Sequence, residues 1–332
     1  DAFMEAVRDD KEFDLISPKS GEVVKSINAR KLWQKILELR LQTGEPYIIF
    51  SDTVNNALPA HQRKLGLKVR QSNLCAEIML PTGYDHNGKE RTAVCCLSSM
   101  NATKFLEWKD DPMIIEDIYR FLDNVLQDFI DRAPPEMDRA VYSAIRERSV
   151  GLGLMGLHTF MQQMNVPFES AMAKAWNTKI FKHIRTGADA ASVTLAEERG
   201  ACLDAEENGV KARFSHKLAV APTASISIIC GGVSAGIEPI PANVYTHKTL
   251  SGSTTVKNPQ LEALLQSKGK DTPEIWSSIL EHEGSVQHLD CLDEHDKATF
   301  RTAFEIDQRW VIEHAADRGP YICQSQSLNV FL

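Results

Sequence analysis

The stretch Gln71-Ser72-Asn73-Leu74-Cys75-Ala76-Glu77-Ile78 decides how the rest of the chain is read. If it is extended, Asn73, Cys75 and Glu77 point to one face while Leu74, Ala76 and Ile78 point to the other. An amide, a thiol and a carboxylate then follow one another about 7 Å apart. The plainer alternative is a half-buried strand whose polar face happens to include a cysteine, because three such residues recur easily by chance.

Around this stretch, 332 residues suffice for one large α/β domain or two ordinary ones, with a core that needs no disulfide or metal staple. No apolar run is long enough to cross a bilayer. Asp1-Ala2-Phe3-Met4 starts inside a helical pattern without an initiator Met, a basic leader or an apolar signal core, and reads as a cut end with nothing directing export. A formal charge of -8 argues against a wide nucleic-acid surface but leaves room for a small basic pocket for a phosphorylated metabolite. Seven cysteines, at 75, 95, 96, 202, 230, 291 and 323, fit a reducing cytosol. Without a C-x-x-C pair, iron-sulfur and cysteine-rich zinc sites are disfavoured, and Cys202 and Cys230 are expected to be small buried hydrophobes.

In chain order, residues 1–17 predict a short helix. Residues 28–43 predict another, capped by Asn28 and ended at Gly44-Glu45-Pro46. Tyr47-Ile48-Ile49-Phe50 reads as a buried strand, and 51–70 as a polar linker with Ala60-His61-Gln62-Arg63-Lys64 facing solvent. Residues 71–80 and 91–97 predict strands joined through the turn Asp85-His86-Asn87-Gly88, a hairpin that would bring Cys75 and Cys95 into one neighbourhood. Helices are expected over 113–131 and 136–149, broken at Pro134-Pro135, and over 167–198. Gly151-Leu152-Gly153-Leu154-Met155-Gly156 matches the dinucleotide fingerprint G-x-G-x-x-G. It follows a charged helical segment instead of a strand, so close helix packing through small residues is the better reading.

Ala221-Pro222-Thr223-Ala224-Ser225-Ile226-Ser227 interleaves hydroxyls with small residues, which lets backbone N–H groups reach phosphate oxygens; an ordinary strand entry rich in Ser and Thr is the competing reading. Residues 258–300 look helical. There His288, Cys291 and His295 would share a face at metal-ligand spacing, but no fourth ligand is evident and the flanking acids read as a solvated face. A helix over 301–318 leads to Gln324-Ser325-Gln326-Ser327-Leu328-Asn329, a terminal strand whose neighbour is expected to come from another chain.

Taken together, Ser72 to Ile78, Ala93-Val94-Cys95-Cys96-Leu97-Ser98-Ser99-Met100-Asn101, Pro222 to Ser227, Gly236-Ile237-Glu238-Pro239 and Gln324 to Asn329 resemble the catalytic large subunit of aerobic class I ribonucleotide reductase. The five motifs stand in family order over nearly the whole chain. The resemblance implies an α/β fold, an incomplete ten-stranded barrel of the ribonucleotide reductase type. Residues 1–332 would form a partial catalytic barrel domain, with a central finger loop near 71–80 and a phosphate-loop region at 221–230, and with the family's N-terminal regulatory cone and C-terminal tail missing.

The same resemblance makes Cys75 the thiyl radical that removes the 3′ hydrogen of a ribonucleoside diphosphate, and Glu77 the base at the 3′ hydroxyl. Asn73 becomes the amide that hydrogen-bonds the ribose hydroxyls, and Cys95 one member of a redox dithiol. Ser72, Pro222, Thr223, Ala224, Ser225 and Ile226 would bind substrate. Cys96 is taken as structural, since adjacent cysteines do not reach ordinary disulfide spacing. No bound cofactor is implied for this chain. The implied partners are a complementing large-subunit fragment, a radical-generating, metal-containing small subunit, thioredoxin or glutaredoxin as external dithiol reductant, and the diphosphate substrate, in the cytoplasm or that of a host cell.

The match has gaps. No cysteine precedes Cys75 to complete the redox pair, neither Tyr245 nor Tyr321 lies in a Tyr-Tyr pair, and Cys323 stands where relatives commonly carry an acid. The chain is therefore expected to be one piece of a split or truncated reductase, inactive alone. Alternatives are a non-catalytic assembly or regulatory subunit that keeps the family core, a cobalamin-dependent relative and, more distantly, a nicotinamide dehydrogenase built on Gly151 to Gly156.

Overall fold

The structure, a computed structural model, describes residues 1–249 and 252–331. Its centre is the strand Gly151–Met155, buried at every position. On one side it pairs in parallel with Leu97–Asn101, Leu97 opposite Gly151 and Asn101 opposite Met155. On the other, Leu152 bridges Leu218 in parallel, and Val220 in turn bridges Gln326. Four parallel segments thus stand side by side in the order 97–101, 151–155, 218–220 and 324–326.

A strand covered on both faces needs apolar residues throughout, which Leu152 and Leu154 supply. It also needs neighbours close enough to pair. A Cβ on Gly153 would lie 2.6 Å from the Ala219 carbonyl oxygen and 3.1 Å from the Val220 Cα, so only glycine admits the adjacent backbone there. The G-x-G-x-x-G motif is accordingly a packing device inside a strand. Small-residue packing is what it does, but against neighbouring strands and not between helices as expected. Gly156, with φ 76°, turns the chain into the helix Leu157–Gln163.

Parallel strands require long crossovers, and helices supply them. Ile114–Arg132 buries Ile115, Tyr119, Leu122 and Leu126, a stripe at helical spacing, and packs against the long helix Ala171–Arg199. Pro134-Pro135 separates the first of these from Asp138–Glu147, as the sequence predicts. Arg148 ends that helix in a left-handed conformation, its guanidinium bonded to the buried Asp123, which also receives Arg199 and Arg213. A second apolar cluster gathers Val244, Leu261, Trp276, Ile279 and Phe300.

Several expectations need correction. The first seventeen residues hold a helix, Ala2–Arg8, and a strand, Glu12–Ile16, in a hairpin with Val23–Asn28. Tyr47–Phe50 forms no strand, and Tyr47, Ile49 and Phe50 are exposed, since the segment finds no pairing partner among the described residues. His61 and Gln62 are buried, not solvent-facing, bonded to Ser215 and to Glu147 and His216. Residues 258–300 break into Pro259–Ser267, Pro273–Glu281 and Glu294–Thr299. His288, Cys291 and His295 therefore share no helix face: His288 bonds Ser278 and His295 bonds the Asn165 carbonyl. The 324–326 strand pairs within this chain, not with another. Cys202 is buried as expected, but Cys230 is exposed.

Gly153→Ala should lower stability by about 1–3 kcal/mol, because the clash is with backbone that cannot rotate away. Gly319, where a Cβ meets nothing within 4 Å, is the control; Gly319→Ala should stay within about 0.5 kcal/mol of the parent. Urea unfolding midpoints at unchanged slope check both.

Candidate functional site

The decisive stretch is a loop, not a strand. The Ala76 N–H donates to the Asn73 carbonyl at 3.1 Å, closing a turn over Leu74 and Cys75, and Ala76 itself takes φ 64°. A residue in that region breaks the alternation of an extended chain. Asn73, Cys75 and Glu77 consequently do not form a single-faced row. The base of the loop is closed by the Ser72 hydroxyl donating to the Ile78 carbonyl at 2.8 Å, and by the Ile78 N–H donating to Asn73 Oδ1 at 3.2 Å. Leu74 stands at the tip, 80% exposed.

The loop is tied to the barrel wall through its last residues. The Ser325 N–H donates to the Glu77 carbonyl at 3.0 Å, and the Met79 N–H donates to the Gln324 side chain at 3.1 Å. Cys75 lines a cleft of 740 Å³ together with Tyr47, Phe50, Leu74, Ser327 and Asn329. Ser72, Asn73 and Cys95 line a separate hollow of 420 Å³, with Arg70 and Arg91. Glu77 is 2% exposed, and its Oε2 is buried with no hydrogen-bond partner. An unsatisfied buried carboxylate oxygen is costly and marks a place where a donor is wanted. The Asn73 amide nitrogen is also without a partner among the described residues, while its oxygen serves the loop.

Electrostatics joins what the two hollows separate. Burial pushes the Cys75 thiol up, and the Glu77 charge adds to it. The Cys95 thiol is raised by burial first, then by Glu77 and by Cys75. Both shifts work against the thiolate. Cys96 is buried in the core, its thiol directed at the Leu122 carbonyl, and burial lifts it to about 11.

The Pro222 to Ile226 segment lies directly beyond the 218–220 strand and lines neither hollow. Thr223, at φ 52°, is buried, and its hydroxyl accepts the Gly236 N–H at 2.7 Å, so this side chain holds the following loop in place. Ala224, Ser225 and Ile226 are exposed ahead of the short turn Ile226–Ile229, and their N–H groups have no acceptor among the described residues. Sequence reasoning passed over Tyr47, Phe50, Ser327 and Asn329 as parts of the cleft. The first two were read as core strand, and the last two were quoted as a motif without a role.

Among the described residues, no group of three or more His, Cys, Asp or Glu is placed to hold a metal ion, and no helix is long and apolar enough to cross a membrane. A family profile described as the ribonucleotide reductase barrel domain matches residues 1–211 and 203–332. The chain belongs to the large-subunit family of class I ribonucleotide reductases. The ribonucleoside-diphosphate reductase large subunit of Invertebrate iridescent virus 3 is 45% identical over 96% of this chain and 50% of its own length. That of Caenorhabditis elegans is 31% identical over 100% of this chain and 48% of its own. The solved Actinobacillus ureae class Id ribonucleotide reductase alpha subunit superposes with a TM-score of 0.84 at 41% identity, covering 92% of this chain and 55% of that one. The chain thus spans about half the length of the reductase relatives it matches. The fold is the α/β ribonucleotide reductase barrel type, partly formed here, and the four parallel segments are part of its wall.

Replacing Glu77 by Gln removes the negative charge that disfavours both thiolates, so the Cys75 and Cys95 thiols should become more acidic. Site-resolved alkylation with iodoacetamide, followed by mass spectrometry, should show both reacting faster at pH 7–8 in the variant, with exposed Cys230 unchanged.

Proposed function

We propose that this chain carries the reacting centre of a ribonucleoside-diphosphate reductase, with Cys75 as the hydrogen-atom acceptor and donor. The observation that carries the reading is the buried, partnerless Glu77 oxygen within electrostatic reach of two protonated thiols. A ribose 3′ hydroxyl is the donor that this oxygen lacks.

A Cys75 thiyl, generated through a radical-supplying, metal-containing small subunit, takes the 3′ hydrogen as an atom. Glu77 accepts the 3′ hydroxyl proton, and the 2′ hydroxyl leaves as water after protonation. Two electrons and two protons come from a dithiol: Cys95 and a second cysteine from a large-subunit segment outside this sequence become a disulfide. The hydrogen held on Cys75 returns to the 3′ carbon, which regenerates the thiyl. Ribonucleoside diphosphate and dithiol give deoxyribonucleoside diphosphate, disulfide and water, and thioredoxin or glutaredoxin restores the dithiol. The free Asn73 amide suits the ribose hydroxyls, having donors but no charge to compete with the base. The exposed N–H groups of Ala224, Ser225 and Ile226 suit the diphosphate. Ser72 supports the loop through its bond to Ile78 and lines the hollow beside Asn73, where it would meet substrate.

In the reductase assembled from this chain, the remaining large-subunit segments and a small subunit, Cys75→Ser should abolish conversion of ribonucleoside to deoxyribonucleoside diphosphate while leaving diphosphate binding within about twofold. Undiminished turnover would favour a non-catalytic assembly role. Turnover that requires added cobalamin and no small subunit would reassign the radical source.

A further inference from the structure

The loop that carries Cys75 and Glu77 has no regular secondary structure of its own beyond one turn. Its position therefore depends on what grips it from outside. Upstream, His61 and Gln62 are locked into the helical layer through Ser215, Glu147 and His216. Downstream, the grip comes from two consecutive residues of the 324–326 strand. The Ser325 N–H donates to the Glu77 carbonyl, and the Gln324 side chain takes the Met79 N–H at 3.1 Å.

Gln324 does more than receive that bond. Its Nε2 donates to the Val150 carbonyl at 3.1 Å, at the entrance of the central strand, and its own backbone N–H donates to the Leu218 carbonyl at 3.1 Å. The side-chain amide thus spans the loop and the entrance of the central strand, its acceptor end on the loop and its donor end on the strand, while the backbone N–H ties the residue to the 218–220 strand. A carboxylate of the same length would keep the acceptor and lose the donor. An apolar side chain would lose both, stranding the Met79 N–H and the Val150 carbonyl.

We propose that Gln324 is a positioning residue for the reaction, fixing the Cys75–Glu77 loop against the barrel wall by a bidentate amide bridge between Met79 and Val150. The inference rests on Cys75 and Glu77 as the reacting pair, but the bridge itself is tested without turnover. Among the described residues, no hydrogen bond links Gln324 to the Cys75 or Glu77 side chains or to the Pro222 to Ile226 segment. Its loss should therefore displace the loop without weakening the hold on a diphosphate. Misplacing reacting groups by about 1 Å costs on the order of a hundredfold in rate.

The experiment uses Gln324→Met, which keeps length and removes both bonds, and Gln324→Glu, which restores the donor only when protonated. In the assembled reductase, Gln324→Met should lower kcat by about 10–100-fold with KM for the diphosphate within about twofold. Gln324→Glu, ionised between pH 6 and 8, keeps the acceptor for Met79 and loses the donor to Val150, so it should also lower kcat, with KM again within about twofold. Independently of activity, iodoacetamide alkylation across pH should show Cys95, which lies off the loop, reacting faster in Gln324→Met as Glu77 moves away from it, with Cys230 unmoved. A parent-like Cys95 alkylation profile in Gln324→Met would overturn the proposal. So would Cys230 moving in step with Cys95, since that reports general loosening. If alkylation shifts as expected while Cys75→Ser leaves turnover intact, the bridge stands and the catalytic reading of Cys75 falls.

Discussion

The parallel ladder through 97–101, 151–155, 218–220 and 324–326 is the constraint on which the rest depends. Parallel neighbours cannot be joined by tight turns, so each connection must leave the sheet, cross it and return. That requirement produces the paired helices between 101 and 151 and the helices Leu157–Gln163 and Ala171–Arg199 between 155 and 218. It also brings the chain past Asn101, Gly156, Ala221 and Ser327 at the same end of the wall, where α/β folds gather their binding loops. The bond from the Asn101 side chain to the Cys230 carbonyl and that from the Gly156 N–H to the Ser234 carbonyl stitch those loops together. Each fully buried leucine of the central strand adds about 2 kcal/mol of apolar burial. The glycines beside them set how closely the ladder can close.

Outside the ladder, the helices are registered by buried charge. Asp123, 1% exposed, meets Arg148, Arg199 and Arg213. Burial alone would raise this carboxyl, yet the three guanidiniums together hold it below its ordinary value. Asp204 plays the same part for Arg91 and Arg146, and Arg91 passes the contact on to Asp85 in the 83–91 hairpin. Such pairs add little net stability over apolar packing, but removing one partner leaves an uncompensated buried charge. These pairs tie the helix ends to one another and, through Asp85, to the hairpin that carries the chain from the 72–78 loop to Cys95.

Features encoded locally were legible in the sequence. Asn28 caps Ala29–Thr43 and Gly44 ends it at φ 76°, and the prolines at 134 and 135 separate two helices where expected. What failed to show was anything whose partner is remote. His61 and Gln62 sit in a polar stretch, and nothing within it announces Ser215, Glu147 or His216, which are 85 to 154 positions away. Tyr47–Phe50 has the composition of a strand but no partner among the described residues, and composition does not pair a backbone. Motif order is what singles out Asn73, Cys75, Glu77 and Cys95 as candidates. Their arrangement was not legible, because the alternation of 71–78 presumed an extended chain, and a left-handed Ala76 is not something alanine advertises.

That single departure changes the chemistry available. An extended loop would set amide, thiol and carboxylate in a line facing one solvent-filled space, where the carboxylate is hydrated and its field screened. The turned loop buries Glu77 and leaves the half-buried Cys75 at the edge of one hollow and the exposed Cys95 at another, and the carboxylate weighs on both sulfurs. A thiolate nucleophile calls for the opposite environment, with positive charge nearby. Here burial and negative charge both work against the thiolate. The backbone angle at Ala76 thus decides where the one carboxylate that weighs on both thiols is placed.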